Sequence, residues 1–442
     1  VQFYKQLFLT NRFYKGLAAL VLIYIVAFWW PALLFVAHAA VLVFALLVAA
    51  EIFWLFKSHS IFASRLCADK FSNGDENPVE ITVENGYPAK VVLEVLDELP
   101  VQLQERKNAL TLSLEKGAAK NIRYQVRPTK RGPYLFGKLH VYASGSLALV
   151  QRRYSFNEEK EVGVYPSFVQ MRHYELLAIS NHLKMAGQKK IRRAGNNREF
   201  EQIEKYVAGD DYRKINWKAT ARKNALMVNH YQDERSQNIV MAIDKGRAMK
   251  MPFAGLSLLD YAINAALVIG NIALRKGDRA GLVTFQKNID GQVLPANRGK
   301  QLNLLLEQLY REKTAYQETN VRQLYTWLRY RINQRSLVML YTNYESVHAM
   351  HRQLPYLKLI NRSHLLLVVF FINTEIETLS QAPALGPEQI YNKGLAESLL
   401  LEKQQIAAEL KQQGIQTLLT RPTDLNVNAI NKYLELKARG SI

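Results

Sequence analysis

Residues 16–56 constrain the chain more than any other stretch, because they are almost wholly apolar and Glu51 is their only formal charge. As one helix, such a run of roughly forty residues would extend about 60 Å, twice the ~30 Å hydrocarbon core of a bilayer. Two spans joined near Trp29, Trp30 and Pro31 fit better, since proline interrupts a helix and tryptophan settles at the membrane interface. The run is too long for a cleavable signal peptide and has no polar cleavage region. Lys5, Arg12 and Lys15 precede it, and Lys57, Arg65 and Lys70 follow it. By the positive-inside rule both ends lie in the cytoplasm, which makes this a multi-pass protein of the cytoplasmic (inner) membrane. Glu51 is expected to snorkel or pair rather than line an ion path.

Past the hairpin (residues 1–58 with its basic flanks) the hydrophobic period changes to two. Val79, Ile81 and Val83 alternate with charged or hydroxylated neighbours, as do Leu110, Leu112 and Leu114, and then Ile122, Tyr124 and Val126. Turn residues separate these runs at Asn85-Gly86, Lys116-Gly117, Gly132-Pro133 and Ser144-Gly145. Short, half-buried strands with regular turns predict a small β-sandwich over residues 61–166.

Residues 167–235 form a connecting segment, and Arg198 to Met249 holds the densest charge and aromatic patterning in the chain. The connecting segment opens with a basic run, Lys184, Lys189, Lys190, Arg192, Arg193 and Arg198, with no acid between them. This run is either a solvated loop or a surface for lipid or a partner. Further on, Gly209 permits a turn, and Asp210 or Asp211 can accept from the first N–H groups of a helix. Adjacent carboxylates at that place are read as caps before an acid–base pair. Tyr212, Ile215, Ala219 and Arg222 recur at helical spacing, and Asn224 suits a left-handed stop. Trp217 lies off the Ile215/Ala219 stripe, facing either the sheet domain or a partner. With Asp210, Arg213 and Arg222 it is expected to latch the connecting segment in place. From residue 236 to 442, apolar strands alternate with amphipathic helices, which predicts a doubly wound α/β (Rossmann-like) domain. Its first strand, Asn238–Ile243, delivers Asp244 to a carboxyl end, where ligands of such sheets bind.

The connecting segment is similar to the family labelled domain of unknown function 58, bacterial membrane proteins with a von Willebrand factor A-like domain. Glu199-Phe200, Tyr206, Gly209-Asp210-Asp211, Arg213, Ile215-Asn216-Trp217-Lys218, Ala221-Arg222 and Leu226-Met227-Val228 meet its signature in order. Gly277-Asp278-Arg279-Ala280-Gly281-Leu282 likewise resembles the second-strand entry of von Willebrand A-type domains. Relatives often carry an Asp-Pro-Phe-Gly-Leu-like turn near the end of the sandwich, where this chain has Gly145-Ser146-Leu147-Ala148-Leu149. The resemblance implies a von Willebrand A-like C-terminal domain and a MoxR-type AAA+ ATPase as partner, with an unknown client protein.

Von Willebrand A-type domains often hold a divalent cation through Asp-x-Ser-x-Ser, a second-loop threonine and an aspartate after the fourth strand. Here the first motif reads Asp244-Lys245-Gly246-Arg247-Ala248, so Gly246 and Ala248 lack the hydroxyls. Thr342-Asn343 stands where threonine–aspartate belongs, and Thr314 or Thr319 is available for the second loop. The site is therefore expected to be metal-free, with Asp244 paired to a local basic residue and no cofactor.

A single cysteine, Cys67, excludes an internal disulfide and any cysteine-built zinc site. Phosphate-loop and HExxH motifs are missing, and His348 and His351, three apart, are weak metal candidates. Net charge is +20, which favours anionic partners, with lipid ahead of nucleic acid because the basic run has no interleaved aromatics. The chain is thus expected to be a membrane-anchored scaffold rather than an enzyme. The alternatives are a metal-dependent hydrolase built on Asp210, Asp211 and Asp244, or a nucleic-acid-binding adaptor.

Overall fold

The computed structural model describes residues 6–57, 60–104, 109–156, 159–175, 199–207, 212–232, 236–383 and 386–440. The chain divides into two compact units, Val1–Tyr165 and Pro166–Ile442.

In the first unit the apolar run forms two helices, Asn11–Trp29 and Leu34–Phe56, long and apolar enough to cross a membrane. The break between them falls at Trp30 and the short 3-10 turn Pro31–Leu33, as proline requires. Gly16 lets the helices approach closely, since a Cβ there would sit 2.7 Å from the Phe44 ring.

The alternating segments form antiparallel sheets. Ile61–Cys67, Asn77–Asn85 and Ala119–Val126 make one, with Asn77–Asn85 central. A second runs in the order Leu7–Leu9, Val150–Phe156, Leu139–Ser144, Val91–Asp97, Ala109–Leu114, and a small third, with one parallel pair, in the order Lys70–Ser72, Lys160–Tyr165, Gly132–Phe136. Ile81 and Val83 from the first, and Leu93, Val95 and Val141 from the second, share one core, so the two sheets pack through their apolar faces. Buried at its edge, Arg65 pairs with Asp97, which also accepts from Tyr124.

The second helix ends inside this same core. Leu55 is fully buried there, and its carbonyl accepts from Tyr87 and from Arg152. Trp54 stacks on Tyr87 with ring centroids 5.1 Å apart. Glu51 neither snorkels nor pairs with a base. Its carboxylate accepts from the backbone N–H groups of Ala148, Leu149 and Val150 at 2.9–3.2 Å. The start of the first helix meets the same turn: Thr10 caps that helix and donates its hydroxyl to the Ala148 carbonyl. The Gly145–Leu149 turn thus gathers both helix ends.

The second unit is built on a six-stranded sheet. Its strands are β1 (Asn238–Asp244), β2 (Arg279–Phe285), β3 (Ile289–Ala296), β4 (Leu337–Tyr341), β5 (Leu365–Phe371) and β6 (Gln416–Thr420). Their order is β3-β2-β1-β4-β5-β6, parallel throughout except that the edge strand β3 runs antiparallel to β2. The helices are α1 (Leu258–Arg275), α2 (Gln301–Arg311), α3 (Val321–Arg331), α4 (Val347–Ser363), α5 (Thr374–Gln381), α6 (Pro387–Gln412) and α7 (Leu425–Ala438). Alternation within β1 explains the layering. Ile239, Met241 and Ile243 pack toward α1, α2 and α7, while Val240 and Ala242 face α3, α4 and α6. Although α1 is apolar enough for a span, 78% of its window is buried, so it is a core helix.

The first strand, expected over Asn238–Ile243, is present and runs one residue further, to Asp244. The short helix α5 was not anticipated; an Asn373 cap starts it over a polar stretch with weak periodicity.

Candidate functional site

Asp244 closes β1 at the carboxyl edge of the sheet and is 1% exposed. Its carboxylate accepts from Thr319 Oγ1 at 2.8 Å, from Thr342 Oγ1 at 2.6 Å and from the Gly246 N–H at 2.7 Å. The expected pairing with a basic residue is not what forms: two hydroxyls and an amide hold the carboxylate instead. Burial raises its pKa above the ordinary carboxylate value, and these three donors oppose the rise.

The adjacent Lys245 turns away. Its ammonium is buried against Glu312 at 2.7 Å and Asp290 at 2.8 Å, and Glu312 also accepts from Thr284 and Gln308. The loop between α2 and α3 folds over the end of β1, with Thr314 donating to the Lys245 carbonyl. Of the two threonines open from sequence, Thr319 therefore reaches Asp244 and Thr314 does not.

Asn343, beyond β4, accepts at Oδ1 from the Lys403 ammonium at 2.8 Å, and Lys403 also donates to the Tyr344 carbonyl. Desolvation lowers the Lys403 pKa to about 8, against the pull of Glu402 and Glu345. Burial and the Asp244 charge raise the Tyr344 hydroxyl. Lys403 escaped the sequence reading because it sits on α6, remote from the loop motifs, and ordinary amphipathic patterning accounts for it.

These residues do not fit a divalent cation. A hard cation needs several converging oxygens with acidic ones among them, and here Asp244 is buried and already accepts from both threonine hydroxyls and the Gly246 N–H. A Cβ at Gly246 would lie 1.9 Å from Thr319 Oγ1, so no side-chain hydroxyl fits there. An ammonium already occupies the acceptor at Asn343. Among the described residues there is no group of three His, Cys, Asp or Glu side chains placed to hold a metal. His351 pairs with Glu409 at 2.6 Å.

The connecting segment forms an antiparallel ribbon, Glu199–Lys205 with Met227–Gln232, which places Phe200 opposite Tyr231 and is bulged between Phe200 and Gln202. The Tyr206 N–H bonds the Leu226 carbonyl where the ribbon opens. Gly209, Asp210 and Asp211 lie outside the described residues, as does the basic run from Lys184 to Arg198. The helix is shorter than the spacing suggested. Tyr212–Lys214 is a 3-10 turn, Ile215 bridges to Val228, and the α-helix spans only Trp217–Lys223. Tyr212, Ile215, Ala219 and Arg222 therefore do not share one helical face. The N-cap is Asn216, whose side chain accepts from the Ala219 N–H, and Asn224 supplies the left-handed stop at φ 50°. Trp217, expected in a latch, is 70% exposed, and Arg213, Lys218 and Arg222 are exposed beside it in sequence. The Arg213 guanidinium lies 5.7 Å from the Tyr212 ring.

The family described as "Protein of unknown function DUF58" matches residues 202–409. The "Uncharacterized protein YeaD" of Bacillus subtilis (strain 168) is 22% identical over 240 residues, covering 52% of this chain and 56% of that protein. Among solved structures, the CARDB domain of the PF1109 protein from Pyrococcus furiosus is 14% identical, covering 25% of this chain and 96% of its own, at a TM-score of 0.17. The ASH/PapD-like domain of human CEP192 is 11% identical, covering 24% of this chain and 86% of its own, at 0.18.

Proposed function

The chain belongs, over residues 202–409, to the family of proteins of unknown function DUF58, and from that premise we propose that it is a membrane-anchored interaction protein rather than an enzyme. In this reading the C-terminal unit is a von Willebrand A-like domain that works without a cation. The strand order β3-β2-β1-β4-β5-β6, with its antiparallel edge and an aspartate closing β1, supports that assignment. Two apolar helices anchor the chain in the inner membrane, and the basic residues flanking them favour a cytoplasmic position for both units. The working partner is a MoxR-type AAA+ ATPase. It supplies the work of ATP hydrolysis, and this chain supplies attachment and recognition of a client.

One observation carries the reading: the buried Asp244 carboxylate accepts from Thr319, Thr342 and Gly246, which take most of its acceptor sites. With two hydroxyls and an amide already on it and 1% exposure, this carboxylate is engaged in holding loops together and is poorly placed to take a hydrated cation or to activate water. Calorimetric titration of the detergent-solubilised chain with magnesium or manganese should give no saturable heat at millimolar concentration. Saturable binding that disappears in Asp244→Ala would sink the reading and favour a metal-dependent hydrolase.

A further inference from the structure

We propose that the helix Trp217–Lys223 is the docking surface of this protein, presenting Trp217 among cations to an acidic face of a partner protein. The proposal rests on the interaction-protein reading above and names the surface that would carry it.

Seven residues are too few for a helix to hold itself in water. This one is fixed from below and at both ends. Asn216 caps the start, and its amide also donates to Asn229 Oδ1 at 2.8 Å. The Asn216 N–H bonds the Met227 carbonyl, and Thr220 Oγ1 accepts from the Met227 N–H at 3.0 Å. Ile215 bridges to Val228, and Asn224 ends the helix in the left-handed region. Ala219 and Thr220 are half-buried, whereas Trp217, Lys218, Ala221 and Arg222 are exposed. The ribbon therefore holds a short helix rigidly while its largest side chain takes no part in the holding.

A tryptophan 70% exposed on a pinned helix is costly to keep in water and inexpensive to dock, because little freedom is lost on binding. Tyr212 is 67% exposed nearby in sequence, and Trp, Tyr and Arg are the side chains that dominate protein–protein hot spots. Charge selects the partner. From Tyr212 to Gln232 the chain carries Arg213, Lys214, Lys218, Arg222 and Lys223 and no acid, so an acidic face complements it. A lipid surface is the weaker fit, since membrane-lying helices bury a continuous apolar face and this one offers a single large apolar side chain.

The test uses the full chain in neutral-lipid nanodiscs, with the purified MoxR-type ATPase of the same organism as probe. Trp217→Ala and the double reversal Lys218→Glu/Arg222→Glu should each weaken binding at least about tenfold, and wild-type affinity should fall with salt. Both variants should melt with the wild type. If the wild type does not bind, the interaction reading falls and this surface with it. If the wild type binds and both variants bind equally well, this inference alone is overturned. A drop in melting temperature for Trp217→Ala, with the double reversal binding normally, would make the tryptophan structural and overturn it too. So would loss of flotation with anionic phosphatidylglycerol vesicles in variants that still bind the ATPase, which would assign the surface to lipid.

Discussion

Asp244 separates a structural carboxylate from a catalytic or metal-binding one. Burial raises its pKa in the fold. A group raised on folding contributes stability below its unfolded pKa and loses it as pH climbs through the folded value, so the charged form at neutral pH is a cost. Asp244→Asn keeps an oxygen for Thr319 and Gly246, and offers an N–H to Thr342, whose hydroxyl can turn to accept. It should therefore melt at or above the wild type at pH 7, with the difference shrinking as pH falls into the carboxylate range. Asp244→Ala leaves three donors without an acceptor and should cost about 2–4 kcal/mol. Thermal unfolding across pH 4–8 checks both, and an Asn variant as unstable as the Ala variant would show that the charge itself is required. The position of Asp244 was legible, because an apolar strand must end where its apolar run ends. Its partners were not, since Thr319 and Thr342 come from loops 75 and 98 residues away. Proximity in sequence pointed to Lys245, yet Glu312 and Asp290 claim that ammonium.

Among elements, period and turn chemistry located the strands of the six-stranded sheet and part of the antiparallel ones, but not Leu7–Leu9, Val91–Asp97 or Val150–Phe156, and caps and long-range partners stayed hidden. The stop at Asn224 was readable because asparagine tolerates the left-handed region, but the start was misplaced: Asn216 sits inside the apparent helical repeat and caps the helix that begins at Trp217. The Gly145–Leu149 turn was harder still. Nothing local in Gly145-Ser146-Leu147-Ala148-Leu149 shows that its amides receive a carboxylate from an apolar helix 97–99 residues earlier. That contact is open to a direct check. Glu51→Ala strips the acceptor from three buried or half-buried N–H groups and should lower stability by about 2–5 kcal/mol, while Glu51→Gln, which keeps one carbonyl oxygen, should lose less. Thermal unfolding of the solubilised chain measures the ranking. Equal stability of all three proteins would mean that water or lipid replaces the carboxylate without cost.

At the scale of the whole molecule, topology follows from a strand pairing as well as from charge. Leu7–Leu9 lies before the first apolar helix, and Val150–Arg152 lies after the second, yet the two pair antiparallel in one sheet. In the proposed topology both ends of the hairpin would therefore share a side of the membrane. We propose the cytoplasmic side, on the basic residues flanking the two helices. Arg65, counted among those basic residues, is buried against Asp97 in the fold. The native thiol is a poor reporter: Cys67 is buried, and desolvation raises its pKa, which suppresses the reactive thiolate. A better probe replaces it with alanine and places single cysteines at exposed Lys116 and Lys287, one in each unit. A membrane-impermeant maleimide should label neither position in intact cells and both after permeabilisation. Labelling of both in intact cells would reverse the orientation while keeping the hairpin. Labelling of Lys287→Cys alone would separate the two units across the bilayer, which requires a further crossing between residues 116 and 287. Of the described helices in that interval only α1 is apolar enough, and it is the central buried helix of the α/β unit. That outcome would therefore contradict the fold as well as the topology.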